Sequence, residues 1–303
     1  MRVFVTGSTG YLGRAVVQHL VSAGHAVTGL VRSEARRPHL ARLGARAVVG
    51  DIHRPETYAS AARESEWLVH LCFEAGERAA DADRTAVDTL LGAARAANGP
   101  RSLVYTSGCL VLGKTGAAPA YEDASTEHAF FNTWRPAQER RVLAAAGPAL
   151  AAAVIRPAWV YGGDGGMAAE YFASALADGA AAYIGDGQNR MPLVQRDDLA
   201  RLYRLVLEQR AGGVFHAADE GRATVREHAA AASRAAGRGG ATRSIPLEEA
   251  RKTLGPFAEA YCLDQLLGSR RAQELGWKPR RPFVDLAEQA FVEWQAARSS
   301  VSS

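Results

Sequence analysis

Apolar positions along the first two thirds of the chain alternate between two rhythms. Arg2 to Thr6 is a short apolar run, the pattern of a buried strand. From Tyr11 to Ala23 the residues Leu12, Val16, Val17, Leu20 and Val21 form the stripe of an amphipathic helix, and Gly24 suits its C-terminal cap. The pairing then repeats. Strands are predicted at His25–Val31, Ala47–Val49, Trp67–Cys72, Ser102–Thr106 and Ala152–Arg156, and helices at Ala35–Leu43, Tyr58–Ala62, Asp81–Ala97 and Arg135–Ala146. Such alternation predicts an α/β fold, a doubly wound parallel sheet with helices on both faces. Beyond Tyr161 the rhythm loosens into a glycine-rich loop (Gly162 to Gly166), a helix (Ala168–Ala177), a short strand (Ala181–Ile184), a helix (Asp197–Gln209), a strand (Gly213–Ala217) and a largely helical remainder.

Composition narrows the class. With 303 residues, 48% hydrophobic and 22% charged, the chain can bury a large core. Its uninterrupted apolar runs, such as Ala149 to Ile155, fall far below the roughly 20 residues that cross a bilayer, so a soluble protein without membrane contact is expected. MRVFVTG enters a strand directly, without the apolar stretch and cleavage site of a secretory signal, which points to the cytoplasm. Cys72, Cys109 and Cys262 are odd in number, far apart and set among apolar residues; they read as reduced structural thiols, with no disulfide framework and no metal. The net charge of +4 rests almost entirely on arginine. Acidic residues accompany it throughout and no aromatic stacking module interleaves the densest basic stretch, Arg32 to Arg46, so no nucleic-acid partner is expected.

The candidate chemistry begins where the first strand runs into Thr6-Gly7-Ser8-Thr9-Gly10-Tyr11-Leu12-Gly13. Glycines at 7, 10 and 13 permit a tight turn, close approach of backbone to a pyrophosphate, and close packing of helix on strand, with the helix N-terminus facing the phosphates. Set between a predicted strand and helix, this is a Rossmann-type dinucleotide fingerprint, with Gly7, Thr9, Gly10, Tyr11 and Leu12 as its expected contacts. An acidic residue ending the second strand would accept the ribose hydroxyls of NAD. Arg32 and Ser33 stand there instead, with Arg36 and Arg37 close behind, and arginine holds a 2′-phosphate bidentately. NADP is the expected cofactor, with Glu34 leaving NAD as the alternative. Asp51 and Ile52 fit an adenine-contacting pair, although Asp51 serves equally well as a turn or capping residue. The expected organisation is a dinucleotide-binding domain from residues 1–165 and 190–220, and a smaller, mostly helical substrate-binding part from 166–189 and 221–300.

TGSTGYLG at 6–13, GDI at 50–52, VHLCF at 69–73, YTSG at 105–108, IRPAWVYGG at 155–163 and VQRDDLA at 194–200 occur in this order. Together they make most of the chain resemble the extended short-chain dehydrogenase/reductase superfamily, in its NAD-dependent epimerase/dehydratase form. The resemblance implies a cofactor across the carboxyl ends of the strands, with Leu71, Cys72 and Phe73 beside it. Thr106 and Ser107 are expected near the nicotinamide, and Pro157 to Val160 over its amide. Cys72 reads as a space-filling thiol. Phe73, Trp159, Tyr161, Met167 and Tyr171 are expected in the small-molecule pocket, Trp159 and Tyr161 being equally suited to ordinary core packing. A homodimer formed through the helices Asp81–Ala97 and Arg135–Ala146 is also implied.

Chemistry in this family uses a tyrosine that moves a proton, a lysine four residues later that lowers its pKa and holds the ribose, and a serine or threonine that polarises the substrate oxygen. Aligned on Gln138-Glu139, the segment FFNTWR puts Phe131 at the tyrosine position and Arg135 at the lysine position. The phenol is missing. Counting back from Gly113, the serine position falls on Gly108, with Ser107 and Thr106 just before it; strand alternation lets only one of the two face the substrate, and Ser107 is the choice. Arg135 is expected to face ribose or substrate, and Phe131 and Trp134 to border the pocket. Other donors in nearby segments are Tyr105, Tyr121, His128, Tyr161 and Tyr171. Gln195 and Arg196 replace the family's usual His-Val and either bind a polar or anionic substrate or tie the two parts together.

Three functions fit these residues. The leading one is an NADP-dependent oxidoreductase of the atypical short-chain type, acting on a carbonyl or alcohol with Ser107 and Arg135 managing charge on the oxygen. The others are a non-redox cyclase, dehydratase, isomerase or epimerase, and a catalytically silent NADP-sensing regulator.

Overall fold

Val3, Phe4 and Val5 are all fully buried, although successive side chains of a strand point to opposite faces, so both faces of this strand are covered. The computed structural model, which describes residues 1–96 and 98–299, shows how. The strands are β1 (Arg2–Thr6), β2 (Ala26–Val31), β3 (Arg46–Val49), β4 (Trp67–His70), β5 (Arg101–Thr106) and β6 (Leu150–Pro157), then β7 (Trp159–Gly162), β8 (Gly165–Gly166), β9 (Ala181–Ile184), β10 (Leu193–Gln195), β11 (Gly213–Ala217) and β12 (Thr242–Ile245). Seven of them form one parallel sheet in the order β11-β6-β5-β4-β1-β2-β3. The helices are α1 (Tyr11–Ser22), α2 (Arg37–Arg42), α3 (Ala59–Arg63), α4 (Ala79–Arg95), α5 (Arg135–Ala144), α6 (Met167–Asp178), α7 (Arg196–Glu208), α8 (Val225–Ala235), α9 (Leu247–Leu254), α10 (Arg270–Glu274) and α11 (Phe283–Ser299).

Strand alternation sorts the interior into two cores. Val3, Val5, Val69, Val104 and Ile155 pack with Val16 and Leu20 of α1 and with Leu199 and Tyr203 of α7. Phe4, Leu68, Leu103 and Val154 pack on the other face with Val87 and Leu90 of α4 and Val142 of α5. A third core gathers Phe172, Tyr183, Ala229, Phe283 and Trp294 from α6, β9, α8 and α11. The chain runs from β1 outward to β3 and returns on the other side of β1 as β4, so the C-terminal end of β1 lies where the strand order reverses. Open α/β sheets form a ligand crevice at that point.

Predicted and observed elements differ at particular ends. The helix predicted at 35–43 becomes a 3-10 turn over Glu34–Arg36 and a shorter helix that Pro38 helps to start. Strand β4 stops at His70 and leaves Cys72 in the following loop. Helix α4 begins at Ala79; its predicted last residue, Ala97, and the predicted end of the second part at residue 300 lie outside the described residues. The glycine loop folds back on itself, Gly165 and Gly166 pairing antiparallel with Gly162 and Tyr161. Strands β7, β10 and β12, of four, three and four residues, were not predicted. Among the described residues no helix is long and apolar enough to cross a membrane.

Candidate functional site

The turn after β1 is built so that only glycine fits at two positions. Gly7 has φ of 68°, and a Cβ there would lie 2.7 Å from the Cys72 nitrogen; a Cβ at Gly13 would lie 2.0 Å from the Gly7 carbonyl oxygen. Backbone therefore packs on backbone, and a cleft of about 740 Å³ opens beside the turn. Gly7, Thr9, Gly10, Tyr11, Leu12, Arg32, Ile52, Leu71, Cys72, Phe73 and Val160 all border it, and so does Arg36. Burial pushes the Cys72 thiol up, with Arg32 pulling it partly back, which fits a protonated, space-filling thiol. Five expected cofactor contacts, Ser33, Asp51, Thr106, Arg135 and Pro157, stand outside the cleft wall. Ser33 opens the 3-10 turn, Asp51 accepts the His53 N–H at 2.9 Å as a turn residue, and Pro157 is buried at the end of β6 opposite Ala217. Arg37 is taken by Glu34 and by the Ala47 carbonyl.

Phe73 is shared with a second cavity of about 800 Å³, bordered by Gly108, Leu110, Val111, Phe131, Leu254 and Phe257, with Asn132 and Arg135 as its polar side chains. The Arg135 guanidinium lies 5.2 Å from the centroid of Phe73 and 5.3 Å from that of Trp134, and its Nη1 donates to the Thr106 carbonyl at 3.3 Å. Its Nε is buried without a partner, and no carboxylate pairs with the guanidinium among the described residues. Ser107 is buried and its Oγ also lacks a partner. Alternation along β5 places it: Val104 belongs to the core under α1 and α7, Leu103 and Tyr105 to the core under α4 and α5, so Ser107 continues on the α5 side with Arg135. Thr106 turns the other way. Its hydroxyl meets Tyr203 of α7 at 2.7 Å, so this side chain is not at the cavity.

The remaining candidates divide. Trp134 borders a small void with His70, Cys72, Phe73 and Asp83 rather than the apolar cavity. Trp159 forms a partition, its ring centroid 5.9 Å from Phe257 and 5.0 Å from Tyr261. Tyr161 is core, edge-on to Phe283 at 5.0 Å, and Met167 and Tyr171 border a separate cavity. Gln195 and Arg196 border neither the cleft nor the apolar cavity. Gln195 caps α7 by accepting from the Asp197 and Asp198 nitrogens, while Arg196 stacks on Tyr11 at 5.4 Å and reaches Asp164, which Arg14 holds at 2.8 Å. Tyr11 completes the strap by donating to the Gly162 carbonyl at 2.6 Å. None of the alternative proton donors borders the apolar cavity: Tyr105 donates to Asp83, Tyr121 lies under Arg270, His128 is exposed, and Tyr161 and Tyr171 belong to the third core.

Two buried polar clusters escape a reading of the sequence. Thr6 Oγ1 and His70 Nδ1 lie 2.7 Å apart, His70 Nε2 reaches Asp83 at 3.2 Å, and Tyr105 donates to the same carboxylate at 3.0 Å. The chain ties β1, β4, β5 and α4 together beneath the cleft. Glu139 of α5 receives the Arg156 Nη2 at 2.6 Å and its Nε at 3.0 Å, both residues being buried, and Arg156 Nη1 reaches His216 at 3.4 Å. This pair pins α5, and with it Arg135, to β6. A signal existed for Glu139, which stands at a family alignment point, but its partner is distant in sequence.

A glycine-turn cleft at the switch point of a parallel sheet, joined at Phe73 to an apolar cavity that residues between 73 and 135 wall together with Leu254, Pro256 and Phe257, defines a nucleotide-binding enzyme fold of the short-chain dehydrogenase/reductase type. Residues 3–218 match the NAD dependent epimerase/dehydratase family, and the chain belongs to it. It is 30% identical, over 96% of its length and 100% of the other, to an uncharacterized protein, C2A9.02, of Schizosaccharomyces pombe. It is also 30% identical to a 2-alkyl-3-oxoalkanoate reductase of Stenotrophomonas maltophilia, over 70% of this chain and 67% of that one. In fold it is similar to the human epimerase family protein SDR39U1, solved with NADPH, at a TM-score of 0.80 and 23% identity, covering 98% of this chain and 99% of that one.

Proposed function

We propose that the chain is an NADP-dependent oxidoreductase that moves hydride between the nicotinamide and a carbonyl or alcohol carbon of a predominantly apolar small molecule. The observation that carries this reading is the junction at Phe73. The glycine-turn cleft meets an apolar cavity there, and Arg135 of the cavity wall and Ser107, next to the wall residue Gly108, each have a buried polar atom without a partner. Buried polar atoms left unpaired are costly unless a ligand completes them. The close glycine backbone at 7 and 13 fits a pyrophosphate, and Arg32 with Arg36 at the far end fits a 2′-phosphate.

The cofactor, when bound, supplies or accepts the hydride. Arg135, without a carboxylate partner among the described residues, stabilises negative charge developing on the substrate oxygen, and Ser107 donates a hydrogen bond to that oxygen. Phe131 cannot deliver a proton, so the alcohol proton comes from water, relayed through the Ser107 hydroxyl. Leu110, Val111, Phe131 and Phe257 select an apolar or aryl body and exclude water from it. Supporting the redox assignment, the reductase of Stenotrophomonas maltophilia is among the relatives.

The test is purified protein with NADPH or NADH and a panel of alkyl, aryl and 3-oxo carbonyl compounds. Substrate-dependent loss of the reduced-nicotinamide absorbance, larger with NADPH, is expected. Product formed without consumption of reduced cofactor would shift the assignment to isomerisation or dehydration, and the absence of turnover despite tight NADPH binding would overturn it.

A further inference from the structure

The cavity that holds Tyr171 has a volume of about 360 Å³ and lies between α6, β9, α9 and the turn after α9. That size is at the lower end of small-molecule pockets. Leu254 borders both it and the apolar cavity described above, and the aromatic partition of Trp159, Phe257 and Tyr261 stands between them. Its charge is one-sided. Glu170 and Glu249 contribute to the wall, and no arginine, lysine or histidine does. Arg226, which is not part of the wall, is engaged by the Tyr183 hydroxyl at 3.0 Å and the Asp186 carbonyl at 3.2 Å.

Both glutamates are exposed residues on the cavity wall, and neither has an ion-pair partner among the described residues; burial holds the Glu170 carboxyl above its usual range, with the Tyr261 hydroxyl pulling it partly back. The partner of Glu170 is the Tyr261 hydroxyl, 3.4 Å from each carboxylate oxygen. Deeper in, the Tyr171 hydroxyl is enclosed without a hydrogen-bond partner, the residue being 1% exposed. Burial first, then nearby Glu170 and Tyr261, hold this phenol above its usual range, so it remains a neutral O–H beside the carboxylate.

These features select a ligand by its charge. A phosphate or carboxylate meets two like charges and no cationic donor. A metal ion finds no group of three or more ligating side chains among the described residues. A purely apolar molecule leaves both carboxylates and the phenol unused. An ammonium satisfies the carboxylates, while the faces of tyrosine rings attract it electrostatically and an attached apolar body fills the aliphatic wall. We propose that this cavity binds a small organic cation, an apolar body carrying a protonated amine, with the ammonium held by Glu170 and Glu249 and the body lying against Tyr171 and Tyr261. The site is distinct from the hydride-transfer pocket and does not depend on that assignment.

The experiment uses the full chain with phenethylammonium, phenylacetate and 2-phenylethanol, which share a body and differ in charge. Calorimetry and thermal shift are expected to show saturable one-to-one binding of the ammonium and none of the carboxylate. Glu170→Gln with Glu249→Gln is expected to weaken ammonium binding by about tenfold or more, the loss of charge-assisted hydrogen bonds, while NADPH affinity stays unchanged. If the double variant fails to fold, Glu249→Gln alone, on the exposed face of α9, is expected to weaken it by about threefold. No ammonium binding, equal binding of all three probes, or unchanged affinity in the folded variants would overturn the assignment.

Discussion

The rings of Phe131 and Phe257 meet at a centroid distance of 4.8 Å and close the apolar cavity at the position where the family resemblance calls for a phenol. The nearby Gly108, which the resemblance sets at the family's serine position, lies in extended backbone with φ of −179°, and a Cβ added there would touch nothing within 4 Å. At Gly108 the departure from the family pattern is therefore chemical rather than steric, and Phe131 lines a cavity of about 800 Å³. Restoring the family's groups, as Gly108→Ser, Phe131→Tyr and Arg135→Lys together, is expected to leave the fold intact. A positioned proton donor contributes roughly 10²-fold or more, so carbonyl reduction should rise by about tenfold or more, with a new alkaline limb in the pH–rate profile. Unchanged turnover with NADPH still bound would show that the reacting carbon does not lie beside Phe131.

Ser107 and Arg135 are expected to separate by what their loss changes. Ser107→Ala removes a hydrogen bond made in the transition state and should lower kcat by roughly 10² while moving the NADPH Kd less than about threefold. Arg135→Met keeps an apolar side chain of similar length beside Phe73 and Trp134 but removes the guanidinium, so kcat should fall at least as far and cofactor affinity should fall with it. Rescue of Arg135→Met by added guanidinium would tie the effect to charge rather than packing.

At the other end of the cleft, Arg32 and Arg36 border the space and Arg37 does not. Arg32→Ser with Arg36→Ser should raise the NADPH Kd by about 30-fold or more and leave the NADH Kd within about threefold, since each charged hydrogen bond is worth roughly 1.5–3 kcal/mol. Arg37→Ser, measured by the same fluorescence titration, should change neither. Equal losses for both cofactors would remove the 2′-phosphate contact.

The central sheet was legible because a parallel strand buried on both faces is written as a continuous apolar run, and Val3-Phe4-Val5 is such a run. The cleft was legible because glycine at 7 and 13 is forced by backbone contact, a local requirement. Pocket membership was harder. Met167 and Tyr171 are apolar residues on a helix that faces a core in any arrangement, and only the packing of α6 against β9 and α9 sends them to a separate cavity. Gln195 and Arg196 were read with two outcomes open; the Gln195 cap is local to the start of α7, but the Arg196 strap depends on Asp164 and Tyr11, which lie far away in sequence.

The buried pair of Glu139 and Arg156 sets the position of α5, and its two halves are unequal when separated. Glu139→Gln leaves the Arg156 charge buried with only the weakly placed His216 nearby. Breaking one side of a buried pair costs roughly 3–5 kcal/mol, so urea unfolding should show a loss on that order. Addition of Arg156→Met should recover part of it, because the stranded charge is removed; no recovery would mean that the pair acts through hydrogen-bond geometry alone.

Acid sensitivity should reside partly in His228. Burial lowers its pKa from 6.5 to about 4, and its Nε2 meets the Met191 carbonyl at 3.0 Å, so the folded protein keeps it neutral. Between those two values the unfolded chain binds a proton that the folded chain does not, and stability therefore falls as pH drops from 6.5 toward 4. His216, lowered to about 4 by burial and then by Arg156, acts in the same direction. Asp219 opposes both: burial raises it from 3.8 to about 6, so its destabilisation is relieved as pH falls through 6. His228→Gln keeps a donor for Met191 and removes one of the three contributions. The loss of unfolding free energy between pH 7 and pH 5 should therefore be smaller in the variant by about 2 kcal/mol, on the scale of 1.4 kcal/mol per pKa unit. Parallel pH profiles for the two proteins would show that the imidazole titrates in place without cost to the fold.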